Sequence, residues 1–362
     1  MAGIVEREQS LKREALSDLL TLVDKKACPF MSQVKKGSAP KNTFVEWGLN
    51  KHKANLVQQA TYTQGISDKL PIDGEDISSS DFEGYDDRVK CSVFLQYTRR
   101  VPKVSRLANM VSDVAGVGYK KEKASSIALA LVAHKRDIES TLCSSQETAQ
   151  EAGATGSGST ATSATPYQTR GLGKWIQNGA QTVQPVPADF RTPTGSIKSS
   201  STANAKEEDL RDVLQSIYEQ TGESDKTFYG LCGTAMKKTI SNFTLFTPRT
   251  NNIVMSNRDT DEGRLSASVD IIDSDFGTIT LNLSSFLEQD ARTTGSSPAY
   301  DASVGQNTLF ILNMPQLEAC FAEETSVREL PDLGGGSRSI IESVFSLKSY
   351  SGGLDHGKYT LS

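Results

Sequence analysis

Apolar positions change their spacing several times along this chain, and each change marks an element. From Ser10 to Asp24, Leu11, Ala15, Leu19, Leu22 and Val23 recur every three or four residues, which predicts an amphipathic helix with one narrow apolar stripe. Cys28-Pro29-Phe30 ends it, because the residue before a proline is pushed out of the helical region. Two β-like stretches follow, 42–49 (NTFVEWGL) and 88–101 (RVKCSVFLQYTRRV), both rich in β-branched and aromatic residues. Between them, 50–87 has turn chemistry and little apolar content. The spacing then predicts a helix over 119–144. Its middle, 127–133 (IALALVA), is apolar on every side and needs cover on most faces, while Ile127, Leu131, Ile138 and Leu142 continue one stripe as its core. At about 1.5 Å per residue this helix has the length of a structural spine, roughly 40 Å.

Beyond the spine the pattern breaks. Residues 149–165 form a Gly/Ser/Thr/Ala tract without periodicity, followed by a short TRGLGKWIQN segment and a stretch punctuated by Pro185, Pro187 and Pro193. The second half reads as an α+β unit. Asn204 to Glu207 has the form of a capping box, and Leu210, Val213, Leu214 and Ile217 then repeat at helical spacing. A second helix is expected over 230–243. Leu265, Ala267, Val269 and Ile271 alternate with polar residues, as do Ile279, Leu281 and Leu283 after the corner Asp275-Phe276-Gly277, predicting a hairpin with these residues on one buried face. Thr308–Asn313 reads as a more fully apolar strand. The Gly334–Gly336 break, an apolar run at 340–347 and an extended polar end complete the chain.

Composition narrows the setting. Only 36% of the 362 residues are hydrophobic and the mean hydropathy is −0.39, with no run approaching the roughly 18 apolar residues of a spanning helix, so no membrane partner is expected. The net charge of −5 carries no global footprint of a nucleic-acid binder. Cys28, Cys91, Cys143, Cys232 and Cys320 are widely spaced and odd in number, which favours reduced thiols and a cytosolic birthplace. Acids interrupt the leucines of the N-terminus, so it does not read as an export signal.

Charge is unevenly placed around the two β-like stretches. Asp68, Asp73, Glu75, Asp76, Asp81, Glu83, Asp86 and Asp87 oppose the single base Lys69, whereas Arg88, Lys90, Arg99, Arg100, Lys103 and Arg106 follow with no acid among them. Two readings stay open: a solvated surface hairpin, or a self-complementary pair of surfaces that meet between subunits.

Catalytic readings find no support. Gly173-Lys174 and Gly357-Lys358 lack the hydroxyl residue of a phosphate loop. Asp275-Phe276-Gly277 stands without the other kinase motifs, and 153–158 lacks the strand and helix of a dinucleotide fingerprint. His134 is expected on a helix surface, and His52 and His356 in polar loops. Neither Asp273 with Asp275 nor Asp86 with Asp87 matches a calcium loop. No catalytic residue, cofactor or metal is therefore assigned. A hydrolase or metal-dependent enzyme of another type, and a nucleic-acid binder using 88–106, remain as alternatives from other classes.

The order of parts carries a resemblance. KACPFMSQV (26–34) with NTFVEWGLNK (42–51), FEGYDDRVKCSVFLQ (82–96), Val104-Ser105, HKRDIESTL (134–142), TRGLGKWI, DFGTITL and NMPQLEACF (313–321) occur in the order found in the SU10-like major head protein family. The chain thus resembles the tailed-bacteriophage major capsid proteins of the Hong Kong 97 (HK97)-like fold. The resemblance implies an α+β fold with an N-terminal arm (1–40), an extended β-hairpin loop (41–103), a peripheral unit with the spine helix (104–205), an axial unit (206–321) and a C-terminal return to the peripheral unit (322–362). It further implies self-assembly into hexamers and pentamers of an icosahedral shell around double-stranded DNA, with portal and scaffolding or cement proteins as partners. The shell would be the virion capsid, assembled in the host bacterial cytoplasm. A cellular nanocompartment shell is the alternative with the same fold. On the inter-subunit reading, Asp73, Glu75, Asp76, Asp81, Glu83, Asp86 and Asp87 would meet Arg88, Lys90, Arg99, Arg100, Lys103 and Arg106 of a neighbour.

Overall fold

The computed structural model describes residues 28–51, 76, 88–111, 122–153, 165–223, 226–243, 269–287 and 305–362. The helix expected at 10–24 lies outside them, as do all the acids of the 68–87 loop except Asp76. The described chain starts with α1 (Pro29–Gln33), where Pro29 occupies the first helical position that tolerates a missing N–H. It continues through β1 (Lys35–Lys36) and β2 (Phe44–Leu49).

The stretch expected as one strand over 88–101 is two, β3 (Val89–Phe94) and β4 (Gln96–Arg100). β3 pairs antiparallel with β2 in a two-stranded sheet, and the N–H of Leu95 still donates to the Thr43 carbonyl at 3.0 Å. One residue later the backbone has found a different partner, β11 (Arg338–Ser349), in another sheet. Cys91 to Leu95 are buried consecutively, so both faces are covered and alternation no longer marks the switch.

After α2 (Arg106–Val111), the spine is α3 (Glu122–Leu142). It does not have the cover expected for an all-round apolar helix. Ile138 and Leu142 are buried, Ile127 and Leu131 are half-buried, and Leu129 and Val132 are 46% and 37% exposed. The ends of the small-residue tract are bridged, Ala149 to Gln168 and Ala152 to Thr165. A short α4 (Leu172–Trp175) then places Trp175 in the core, where its ring centroid lies 5.8 Å from that of Trp47 and 4.7 Å from the Arg170 guanidinium carbon.

The second half is organised on a six-stranded sheet in the order β5-β12-β9-β6-β8-β7, formed by β5 (Ile197–Ser200), β6 (Thr227–Cys232), β7 (Ile271–Ser274), β8 (Gly277–Leu283), β9 (Thr308–Leu312) and β12 (Gly357–Leu361). α5 (Glu207–Thr221) buries Leu210, Val213, Leu214 and Ile217 against it, each side chain worth about 1.5–3 kcal/mol relative to exposure. Its first turn starts two residues later than the sequence suggests. Lys206 is the N-cap residue, and its N–H donates to Asp209 Oδ2 at 3.2 Å. Gly222, at φ +69°, ends the helix in the left-handed region.

The expected helix 230–243 is shorter. Gly230, Leu231 and Cys232 finish β6, and α6 (Thr234–Phe243) follows. The hairpin β7–β8 turns at Asp275-Phe276, with Gly277 at φ +135°. Its inner face is not the predicted one throughout. Ile279 and Leu281 are buried, but Leu283 is 54% exposed at the strand end, and Ile271 is 61% exposed because Ile272 faces the core instead. On β9 both faces are used: Leu309 and Ile311 enter the core under α5, Phe310 and Leu312 the core that holds Trp47, Ile138 and Phe345. A fully apolar strand with a core on each side follows directly.

β10 (Leu317–Leu330) and β11 form a long antiparallel hairpin in a four-stranded sheet, order β1-β10-β11-β4. The segment 322–362, expected to return whole to the spine-bearing unit, divides: β10 and β11 lie beside β4 and α3, whereas β12 is inserted between β5 and β9. All five cysteines are buried thiols.

Candidate inter-subunit surface

The six expected bases are all exposed, but the break at Leu95 distributes them. Arg88 and Lys90 belong to the β2–β3 end, Arg99 and Arg100 to β4, and Lys103 and Arg106 to the segment leading into α2. Strand alternation sends Arg99 and Arg100 to opposite faces of the four-stranded sheet. Arg100 turns to the spine, where its guanidinium donates to both Asp137 oxygens, Nη2 to Oδ1 at 2.7 Å. These hydrogen bonds hold the Arg100 pKa above its ordinary value. Arg99 faces away from the spine beside its cross-strand partner Glu342, whose carboxylate accepts from the Tyr97 hydroxyl at 2.9 Å and from Arg328. The Tyr97 hydrogen bond, followed by the two arginines, keeps Glu342 below the usual carboxylate range.

Part of the basic strip is thus tied to acids of its own chain. Lys123 adds a third tie, reaching Glu329 of β10 at 2.5 Å. Of the seven expected acids, Asp76 is exposed, and Asp73, Glu75, Asp81, Glu83, Asp86 and Asp87 lie outside the described residues.

The same sheet fixes the spine. His134, expected on the helix surface, is fully buried with Nε2 2.8 Å from Ser343 Oγ, and burial lowers its pKa. His356, expected in a polar loop, is also fully buried. The charged neighbours of His134 suggested an exposed position, but its i+4 relation to Ile138 places it on the sheet-facing stripe.

What the sequence reading missed is apolar. Tyr97 (46%) and Val101 (47%) on or beside β4, Leu107 (72%) on α2, and Leu129 and Val132 on α3 are exposed around this junction, and Leu333 (81%) stands between β10 and β11. The signal was present for Leu129 and Val132, which belong to the segment apolar on every side. Large apolar side chains interspersed with exposed bases form a surface suited to association. Among the described residues, no group of three or more His, Cys, Asp or Glu is placed to hold a metal ion, and no helix is long and apolar enough to cross a membrane.

No curated protein matches the sequence. Solved structures match over almost the entire chain. The capsid asymmetric unit of cyanophage A-1(L) aligns with a TM-score of 0.62 at 11% identity, covering 99% of each chain. The structure titled Mycobacterium phage Ogopogo aligns with a TM-score of 0.56 at 9% identity over 100% of both chains. The SrpI encapsulin of Synechococcus elongatus aligns with a TM-score of 0.51 at 10% identity, covering 99% of this chain and 96% of its own. At these identities the likeness is one of fold, the HK97-like α+β fold. The model of the family SU10 major capsid protein matches residues 4–350. The chain therefore belongs to the SU10 major capsid protein family, whose members are structural shell proteins of the virion capsid and not enzymes.

Proposed function

We propose that this chain forms hexamers and pentamers that close into the icosahedral head of a tailed phage around double-stranded DNA, bound without sequence specificity. The observation that carries the reading is the apolar stretch of α3: Leu129 and Val132 are exposed on the longest helix among the described residues, in a chain of a major capsid family. Closed symmetric assemblies supply such cover between copies.

On this reading 1–40 is the arm, 41–103 the extended loop, 104–205 the peripheral unit and 206–321 the axial unit around the six-stranded sheet, which β5 and β12 join from outside those limits. The segment 322–349 returns to the peripheral unit. Basic residues of one copy, Arg88, Lys90, Arg99, Arg100, Lys103 and Arg106, meet the 73–87 acids of the next. A portal and scaffolding or cement proteins are the further partners, and the buried thiols suit assembly in the host cytoplasm.

Negative-stain microscopy and sizing of the purified full chain test the proposal. Closed particles of megadalton mass are the expected result, and a stable monomer or dimer would overturn it. Particles that package protein and exclude DNA would shift the assignment to a nanocompartment shell.

A further inference from the structure

A groove of about 390 Å³ runs between α3, α1 and β10 and plays no part in the proposal above. Met31, Leu131, Ile138 and Phe321 make it apolar. Lys36 and Glu324 on its rim pair with each other at 2.9 Å, so Lys135 on α3 is the exposed charge that the rim leaves over. The far end of β10 carries the complement. Leu333 is 81% exposed, more than any other large apolar side chain among the described residues, and Asp332 beside it is the only charge between Glu329 and Arg338. This tip is held in shape. Asp332 Oδ1 accepts the N–H groups of Gly334 at 2.8 Å and Gly336 at 3.3 Å, and Arg338 donates to the Pro331 carbonyl at 3.0 Å. Gly336, at φ +111°, lies where a Cβ would be 2.2 Å from the Val104 carbonyl, which packs the tip closely on the segment leading into α2. An apolar side chain fixed in water by such contacts is preorganised for a partner.

We infer that Leu333 of one copy inserts into this groove of a second copy, with Asp332 set against Lys135. The inference rests on the capsid reading and names a contact for it. Thr325 lines the groove, and the strand from there to Leu330 carries the tip roughly 15 Å away, so Leu333 does not reach the groove of its own chain. The contact joins two different surfaces, a knob and a hollow. Such head-to-tail contacts pass from copy to copy and form a ring when the rotation between copies closes. A leucine seated in an apolar hollow with an opposite-charge pair at the rim has the make-up of a small interface core, and the turn uses only one carboxylate oxygen of Asp332.

Photocross-linking in the full chain decides the point. The photoreactive amino acid p-benzoylphenylalanine in place of Leu333 keeps an apolar knob. On illumination of assembled material it is expected to attach to Met31 or to 321–325 of another chain, identified by dimer mass and peptide sequencing. Attachment elsewhere, or none, would overturn the inference. Independently, Leu333→Asp should unfold at the parent's urea midpoint, because the site is exposed, yet yield about tenfold fewer particles or less. A normal yield from this variant counts against the docking. Particles that form without attachment in the groove refute this contact and leave the capsid reading standing, whereas a parent chain that forms no particles sinks that reading and this contact with it.

Discussion

The carboxylate of Glu139 accepts the backbone N–H of Phe30 at 2.9 Å and, through its other oxygen, that of Met31 at 2.8 Å. The spine helix thereby caps α1, whose own N-cap residue Cys28 offers no side-chain cap. Phe30 is fully buried, and the Tyr229 hydroxyl reaches the Pro29 carbonyl at 3.4 Å, so α1 is held from two sides. Glu139→Ala strands both N–H donors and should cost about 2–3 kcal/mol in chemical denaturation of unassembled subunits. Glu139→Gln keeps one acceptor and should cost about 1 kcal/mol. An alanine variant as stable as the parent would refute the capping role.

The two adjacent arginines of β4 should respond differently to reversal. Arg100→Glu places a carboxylate against Asp137 and should lower subunit stability by about 1 kcal/mol, with recovery in the Arg100→Glu, Asp137→Arg double variant. Arg99→Glu leaves the spine contact intact. A folded Arg99→Glu subunit that fails to form particles would assign Arg99 to the inter-subunit surface, and normal particles would remove it.

Leu129 and Val132 are 46% and 37% exposed within the subunit, so Leu129→Asp with Val132→Asp should lower the unfolding free energy by about 1–2 kcal/mol and leave the subunit folded. The same double variant should stay at subunit size in sedimentation. Particles indistinguishable from those of the parent would show that this face is not covered by a neighbour.

His356 makes stability depend on acid. Its Nδ1 accepts the Asn313 N–H at 3.2 Å and its Nε2 lies 3.3 Å from Ser349 Oγ, which knits the ends of β9 and β11 to the start of β12. Burial, aided by the Lys226 charge, pushes the imidazole down to about 3. The unfolded chain titrates near about 6.5, so between these values it binds a proton that the folded state refuses. Stability falls as pH drops through that window, by on the order of 4 to 5 kcal/mol in full, and the contribution is complete above it. His356→Asn keeps an acceptor for Asn313 and does not titrate. Urea denaturation at pH 7, 6 and 5 should show its acid slope reduced by up to about 1.4 kcal/mol per pH unit. Equal slopes would rule out His356 as the source.

The corner Asp275-Phe276 depends on the residue after it. A Cβ on Gly277 would meet the Lys226 carbonyl at 2.8 Å, at a φ of +135° that side chains rarely adopt. Gly277→Ala should cost about 1–3 kcal/mol by thermal unfolding, and a variant with the parent's melting temperature would contradict the strain.

Periodic segments that face one core were legible in the sequence: the stripe of α5, the apolar run of β9 and the lower half of α3 all pack as their spacing implies. Three things were hidden, each for a physical reason. Leu95 switches sheets inside a run buried on both faces, where no alternation records the change. Gly230 to Cys232 lie in a central strand that looks like the start of the next helix, because both its faces are apolar. Of the arginines that suggested an outward charge code, Arg100 is bonded to Asp137 and Arg99 lies across from Glu342, residues distant in sequence that only the fold brings beside them.

The position of β12 bears on when a subunit can exist at all. β9, β6, β8 and β7 can pair as soon as they are made, but β5 has no partner in the sheet until 357–361 arrives to lie between it and β9. A nascent chain must therefore wait for β12 before the sheet closes under α5, so that only polypeptides in which 357–361 has been made can present a finished surface to their neighbours. Strand order in this fold acts as a check on synthesis, delaying assembly competence until the strand at 357–361 has been made.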